Sequence, residues 1–216
     1  MKEIRYAVFD MDGTLVDSMP YWLGLIDEVL SLLPPSMVLS KEAREKIQTM
    51  GLARAREYLI SLGVVDDGSF TKEQSAALMK AHYEKDVAMK AGARELLSSL
   101  KEKGVRMVVA TLTPRPLVEI CLEKQGIADF FEELYTANEY PEGKRESRIF
   151  LDIMKRFDAA AEDIWLFEDS LYSVMTAKEL GFKIAVTEDE TQKESFGELY
   201  ALSDAYFTDG FLKRIK

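Results

Sequence analysis

The chain has 216 residues, 47% of them hydrophobic and 31% charged, a composition typical of a soluble globular protein with one core and room for a small inserted domain. Its 38 acidic and 28 basic residues give a net charge of −10, which argues against a nucleic-acid partner. The single cysteine excludes a disulfide framework, and no apolar stretch is long enough to span a bilayer. We therefore expect a cytoplasmic protein with no signal peptide and no membrane partner.

The first predicted strand is followed by a long helical stretch and then by a regular alternation. Residues 4–9 are predicted to form a buried strand, and residues 21–90 read as helical, with breaks at 33–36, 51, 63 and 66–69. After Gly92, the pattern predicts helices at 93–103, 114–124, 148–156 and 171–180, and strands at 106–110, 134–136, 164–167 and 183–186. Short apolar strands that alternate with helices indicate an α/β fold with a doubly wound parallel sheet.

The distance between the first strand and the second predicts two domains. An α/β core is expected to comprise residues 1–16 and 89–216, with a helical domain inserted between them at 17–88. His82 is expected to be exposed on a polar helix of the insertion, and Cys121 is expected to lie in the core. In doubly wound sheets, ligands bind beyond the carboxyl ends of the strands, so functional side chains are expected there.

Acidic residues follow two of the predicted strands. Asp10 and Asp12 come directly after the first strand, and their spacing of two lets both address one site. Glu168 and Asp169 follow the strand at 164–167. Crowded carboxylates repel one another, and a divalent cation can neutralise them. Carboxylate oxygens completed by water and substrate suit Mg²⁺.

Groups that suit a phosphoryl group lie at the same edge. Thr111 follows the strand at 106–110 and precedes a predicted helix start, where a hydroxyl and backbone amides together favour an anion. Lys144 lies in a loop before the next helix. A hard cation beside an anion site is what phosphoryl transfer requires.

At these residues the chain resembles the haloacid dehalogenase (HAD) superfamily, in the branch with a helical cap inserted after the first strand. The motif Asp-x-Asp-Gly-Thr stands at residues 10–14, and groups matching the three later motifs stand at the expected strand ends. The resemblance covers the whole chain and implies a Rossmann-like α/β core. The chain departs from the family pattern at Leu112, where asparagine is frequent, at Arg145, where proline is usual, and at Ser173, where glycine is common.

The resemblance implies a role for each of these groups. Asp10 would be the nucleophile that forms an aspartyl-phosphate, and Asp12 would act as general acid and then as general base. Thr111 and the backbone amide of Leu112 would hold the phosphoryl oxygens. Lys144 would neutralise developing charge and shield Asp10 from Asp169.

The resemblance also implies a Mg²⁺ site. The Asp10 carboxylate, the Asp12 backbone carbonyl and Asp169 would hold the ion, with Glu168 as an outer or alternate ligand. Asp12 argues against the dehalogenase and phosphonatase branches, which lack this second aspartate.

A phosphatase acting on a small phosphorylated metabolite is the prediction. A β-phosphoglucomutase-like mutase is the alternative, but it is weakened because Trp22 occupies the position of the mutase histidine. A non-catalytic phosphometabolite-binding protein is the third hypothesis. Arg54 resembles a cap arginine that grips a distal phosphate, and the other candidates for the specificity surface are Tyr21, Trp22 and Met50. The identity of the ester and the oligomeric state stay open.

Overall fold

A parallel sheet forms the centre of the first of two compact units, which comprises Met1–Ser18 and Val87–Lys216. The computed structural model describes residues 4–31, 39–43, 52–65, 71–140, 142–208 and 211–214. Within this part of the chain the strands are β1 (Tyr6–Phe9), β2 (Arg106–Ala110), β3 (Leu134–Tyr135), β4 (Ile164–Glu168), β5 (Lys183–Thr187), β6 (Ala205–Thr208) and β7 (Phe211–Arg214). Their order is β3-β2-β1-β4-β5-β6-β7, and all neighbouring strands are parallel except β6 and β7.

Helices connect the strands and form the second unit. In chain order they are α1 (Met19–Ser31), α2 (Leu52–Ser61), α3 (Lys72–Lys85), α4 (Ala93–Glu102), α5 (Arg115–Lys124), α6 (Arg148–Phe157), α7 (Leu171–Leu180) and α8 (Phe196–Leu202). The predicted α/β fold with a parallel sheet and a helical insertion is confirmed. Helix α8 and strands β6 and β7 lie beyond the elements that the sequence pattern predicted.

The sheet is buried because its strands are almost continuously apolar. All residues of β4 and all but the first of β1, β2 and β5 are buried, as expected for parallel strands that have helices on both faces. Helix α6 adds an apolar stripe at helical spacing, formed by Ile149, Phe150, Ile153 and Phe157. This stripe packs with Val8 and Val108 in one core cluster. Cys121 is fully buried, as predicted, and burial raises the pKa of its thiol to about 12.

Strand β1 lies at the point where the strand order reverses. It pairs with β2 on one side and with β4 on the other, so the carboxyl ends of these three strands lie side by side. This is the position at which doubly wound sheets bind ligands.

The two segments that connect the sheet with the helical insertion pair with each other. The Asp17 amide donates to the Ala88 carbonyl at 2.9 Å, and the Lys90 amide donates to the Leu15 carbonyl at 3.0 Å. The Lys90 ammonium also donates to the Asp189 carboxylate at 2.7 Å, beyond the end of β5. Both connections are therefore fixed to the sheet unit up to the residues at which the insertion begins.

The second unit, Met19–Asp86, has its own small core. Its described part contains α1, α2 and α3, whose fully buried side chains include Leu25, Leu59, Met79 and Tyr83. The Trp22 indole donates to the Tyr83 hydroxyl at 3.1 Å and so links α1 to α3. No helix of the described chain is both long and apolar enough to cross a membrane.

His82 is a bridging residue, so the prediction that it would simply be exposed was wrong. Its side chain is only 18% exposed, and its two ring nitrogens lie 2.8 Å from Glu28 Oε2 on α1 and 2.8 Å from Asp86 Oδ2. The Tyr21 ring packs against it with centroids 4.6 Å apart. Burial acts to lower the pKa of His82, but hydrogen bonds and charges from the two carboxylates outweigh it and raise the pKa.

Candidate active site

The turn after β1 lies against Asp169, so that Asp10 and Asp169 are close together. The Asp10 amide donates to the Phe167 carbonyl at 2.9 Å, which extends the pairing of β1 with β4. Gly13 has a φ of 90°, and a Cβ at this position would lie 2.6 Å from Asp169 Oδ2. Only glycine therefore allows the turn and the close approach of the Asp169 carboxylate.

Lys144 connects two of the carboxylates. Its Nζ lies 2.5 Å from Asp10 Oδ1 and 2.5 Å from Glu168 Oε2, and its side chain is 1% exposed. The other oxygen of Glu168 accepts hydrogen bonds from the backbone amides of Asp169 at 3.1 Å and Ser170 at 3.0 Å. Glu168 is thus held at both oxygens and fixes the lysine against Asp10. Glu168 is therefore the second acid that pairs with Lys144. That Lys144 shields Asp10 from Asp169, as the family resemblance implies, stays a prediction.

The position of Lys144 depends on the residue before it. Lys144 lies in the 3-10 turn Gly143–Arg145, and Gly143 has a φ of 69°. A Cβ on Gly143 would lie 2.5 Å from Leu112 Cδ2, so the leucine side chain occupies the space over the glycine. Leu112, which is 44% exposed, thereby links the end of β2 to the lysine turn.

The acidic cluster fits a hard divalent cation. Asp10, Glu168 and Asp169 each offer a carboxylate oxygen, and these oxygens lie within 4.8 Å of one another. All three residues are buried, and Asp10 Oδ2 has no hydrogen-bond partner within the described chain. Three carboxylates face one ammonium group, so a dication would balance the charge, and oxygen ligands of this kind suit Mg²⁺.

Burial dominates the pKa values of these groups. It raises the pKa of Asp10 to about 8, and Glu168 and Asp12 add to the increase while Lys144 opposes it. Burial, Glu168 and Asp10 also raise the pKa of Asp169 well above its ordinary value. Burial acts to lower the pKa of Lys144, but Asp10 and Glu168 outweigh it, so the pKa is raised and the lysine stays charged. The acids need further positive charge to be ionised near neutral pH.

The Asp12 carboxylate accepts hydrogen bonds from two hydroxyl groups. Ser18 Oγ donates to Asp12 Oδ1 at 2.5 Å, and Thr113 Oγ1 donates to Asp12 Oδ2 at 2.6 Å. Sequence reasoning missed both partners. The alternation of Thr111 and Thr113 after β2 was the available signal, because residues two apart in extended chain face the same side.

Thr111 organises the loop after β2. It is 2% exposed, and its Oγ1 accepts a hydrogen bond from the Thr113 amide at 3.2 Å. This bond uses a lone pair of the Thr111 hydroxyl and leaves its hydrogen to donate elsewhere. Among the residues predicted at the sheet edge, the structure brings together Asp10, Lys144, Glu168 and Asp169. Asp12 and Thr111 are both hydrogen-bonded to Thr113, and Leu112 lies over Gly143, next to Lys144.

The candidate specificity residues belong to the second unit. Arg54 lies in α2, but its side chain is outside the described residues, as is the whole of Met50. Tyr21 and Trp22 lie on α1, where Tyr21 packs on His82 and Trp22 donates to Tyr83. Both aromatic residues thus contribute to the packing of the insertion itself.

The described fold is an α/β protein with a parallel sheet, and the site is a carboxylate-rich centre at the carboxyl edge of that sheet. The chain belongs to the haloacid dehalogenase-like hydrolase family, whose model matches residues 7–187. This confirms the family predicted from the motif at residues 10–14.

Related proteins and structures are similar over most of their length. The chain is 28% identical to phosphoglycolate phosphatase 1 of Pseudomonas aeruginosa over 188 residues, 84% of this chain and 68% of the relative. It is 29% identical to phosphoglycolate phosphatase of Rhodospirillum rubrum over 209 residues, 92% of this chain and 86% of the relative. The structure of CbbY from Rhodobacter sphaeroides in complex with xylulose-(1,5)bisphosphate matches with a TM-score of 0.70 at 21% identity, covering 95% of this chain and 94% of CbbY. At that identity the structural match supports the fold alone.

Proposed function

We propose that the chain is a Mg²⁺-dependent phosphatase that hydrolyses a small phosphorylated metabolite through an aspartyl-phosphate on Asp10. The observation that carries the proposal is the Asp10 carboxylate: Lys144 holds one oxygen at 2.5 Å, and the other oxygen is buried with no hydrogen-bond partner among the described residues. A nucleophilic carboxylate needs one oxygen directed at its target and a fixed orientation. The phosphatases among the related proteins support the same reaction class.

The first half of the reaction transfers the phosphoryl group to the enzyme. A carboxylate oxygen of Asp10 attacks phosphorus, and the bond from phosphorus to the ester oxygen breaks. Asp12 donates its proton to the departing oxygen, so the product leaves as an alcohol.

The second half releases phosphate. Asp12, now ionised, takes a proton from a water molecule, and the water oxygen attacks phosphorus. The bond between phosphorus and Asp10 breaks, which restores both aspartates to their starting protonation states. One ester and one water are consumed, and one alcohol and one phosphate are formed.

The remaining groups stabilise charge. Thr111 and the Leu112 amide would hold phosphoryl oxygens. Lys144, itself fixed by Glu168, would orient Asp10 and, together with the bound dication, favour its ionised form. The Asp10 and Asp169 carboxylates, with the Asp12 backbone carbonyl, would hold Mg²⁺, and Glu168 is the remaining acid of the cluster. When bound, the ion supplies positive charge that favours the approach of a phosphoryl group to a carboxylate.

The substrate class follows from the relatives and from the site. Phosphoglycolate, the substrate in the names of the related phosphatases, is a small phosphate ester of this class. We propose that the helical insertion, predicted as residues 17–88, is a cap that carries the specificity residues, Arg54 among them. Trp22 in place of the mutase histidine disfavours a mutase, because an indole cannot exchange protons near neutral pH.

The test is a phosphate-release assay. Purified protein is given p-nitrophenyl phosphate, 2-phosphoglycolate and a set of sugar phosphates, each with Mg²⁺ and with EDTA. The proposal predicts turnover that EDTA abolishes and Mg²⁺ restores. Asp10→Asn should lose at least about a hundredfold in kcat, since it removes the nucleophile.

Asp158→Asn is the matched control. Asp158 is exposed at the end of α6 with a φ of 51°, a conformation that asparagine also tolerates, so this variant should keep full activity. Turnover that is unaffected by EDTA or by Asp10→Asn would reject the proposal. Conversion of a sugar 1-phosphate into its 6-phosphate without phosphate release would favour the mutase.

A further inference from the structure

Asp12 accepts a hydrogen bond from Thr113, a residue with no part in the proposed phosphoryl transfer. Thr113 Oγ1 donates to Asp12 Oδ2 at 2.6 Å, across 101 residues of chain and between the loops that follow β2 and β1. Thr113 is 4% exposed, so its hydroxyl has little access to water. A buried hydroxyl that lost this partner would be costly, which makes the contact a fixed feature of the site.

The loop after β2 aims the Thr113 hydroxyl. The Thr113 amide donates to Thr111 Oγ1 at 3.2 Å, and the Thr111 amide donates to the Tyr135 carbonyl at 2.9 Å. A β-branched side chain on a fixed backbone has few rotamers, so its Oγ1 has a defined direction. The same short segment therefore serves two purposes, with Thr111 beside the expected phosphoryl site and Thr113 on the acid.

We propose that Thr113 is a positioning residue for Asp12: its hydroxyl fixes the carboxylate that exchanges a proton with the leaving oxygen and then with water. The role rests on the proposed phosphatase function. Proton transfer requires Asp12 to be within hydrogen-bond reach of the ester oxygen, and a small displacement of a catalytic group slows the step strongly. The hydroxyl can also rotate from donor to acceptor, so it can accommodate Asp12 in either protonation state.

The role predicts a dependence on the leaving group. An alkyl phosphate releases a poor leaving group that must be protonated, whereas p-nitrophenyl phosphate and acetyl phosphate release stable anions that need no proton. Loss of the Thr113 hydroxyl should therefore slow the first class and spare the second. A general disturbance of the phosphoryl site would slow both.

The experiment compares wild type, Thr113→Val, which keeps the side-chain shape without the hydroxyl, and Thr113→Ser, which keeps the hydroxyl. For each protein, kcat/KM is measured with the alkyl phosphate that the wild type turns over fastest, with p-nitrophenyl phosphate and with acetyl phosphate. We expect Thr113→Val to lose about tenfold or more with the alkyl phosphate and less than about threefold with the others. Thr113→Ser should recover most of the loss. Thermal unfolding checks that each variant folds, and Thr113→Ala replaces the valine variant if it does not.

Equal losses with all substrates, no loss with the alkyl phosphate, or a serine variant as impaired as the valine variant would overturn the role of Thr113. Failure of the underlying function is distinguishable, because the wild type itself would then turn over none of these substrates with Mg²⁺. If the wild type is active and Thr113→Val has the same kcat/KM with the alkyl phosphate, only the positioning role of Thr113 is rejected.

Discussion

The charges of Asp10, Glu168, Asp169 and Lys144 account for why these side chains are buried together. Asp10, Glu168 and Asp169 are buried together, a costly arrangement for three acids unless positive charge accompanies them. Lys144 supplies one such charge, and Glu168 fixes it in place. The remaining negative charge could be balanced by a dication, so the balance of charge supports the metal proposal in addition to the family.

At Gly13 we predict that a single methyl group disrupts this cluster. Gly13→Ala forces a side chain into a φ of 90° and places its Cβ 2.6 Å from Asp169 Oδ2. The free energy of unfolding should fall by about 2 kcal/mol from backbone strain alone. Phosphatase activity should fall at least about tenfold, because the Asp169 carboxylate must move. Chemical denaturation and kcat measured with saturating Mg²⁺ test the two effects.

Gly24→Ala provides the control. Gly24 lies on the exposed side of α1, and a Cβ there would meet no atom within 4 Å. Alanine is the better helix former, so this variant should be as stable as the wild type or more stable by up to about 1 kcal/mol. A Gly13→Ala protein as stable and active as Gly24→Ala would contradict the close approach of Asp169 to the turn.

At the scale of elements, His82 joins α1 to α3, and we predict that it makes the stability of the insertion depend on pH. Because the pKa of His82 is raised above 6.5, the folded chain holds this proton more tightly than the unfolded chain does. The stabilisation is fully present below the ordinary pKa and is lost as the pH rises through the raised value. His82→Gln should therefore lower Tm more at about pH 5.5 than at about pH 9.

The comparison uses the difference in Tm between wild type and variant at each pH, so titration of other groups cancels. Lys80→Gln on the same helix is the control, since the Lys80 side chain is 54% exposed and its ion-pair partner among the described residues is Glu84, 3.7 Å away on the solvent side of the helix. Its effect on Tm should be small and equal at both pH values. A deficit of His82→Gln that is equal at both pH values, or larger at the alkaline one, would contradict the raised pKa.

Most elements of the sheet unit could be predicted because their signals are local. Strand β2 and helix α7 fall on the predicted residues, since buried parallel strands are apolar runs and the helices between them are periodic. Helix α8, β6 and β7 were missed because they are short, with seven, four and four residues, too few to show a clear periodicity. Their assignment depends on pairing at the edge of the sheet, which a local pattern does not reveal.

For the site, the sequence could indicate which residues meet but not how they pair. Strand ends gave Asp10, Lys144 and Asp169, because parallel strands bring their carboxyl ends to one edge. The pairing of Lys144 with Glu168 depends on side-chain directions, which spacing leaves open. Likewise, the contact of Thr113 with Asp12 joins two loops that are distant in the chain.

At the scale of the whole molecule, a net charge of −10 opposes the approach of an anionic ester. The proposed answer is local: Lys144, a bound dication and the groups after β2 would supply positive potential at one edge of the sheet. The central claim is that this edge transfers a phosphoryl group to Asp10.

The most direct measurement is mass spectrometry of the protein quenched in acid during turnover with Mg²⁺, since an acyl phosphate survives acid better than neutral pH. We predict that a fraction of the wild type gains one phosphoryl group, that peptide mapping places it on Asp10, and that Asp10→Asn never acquires it. A phosphoryl group on another residue, or turnover by Asp10→Asn at the rate of the wild type, would contradict the account.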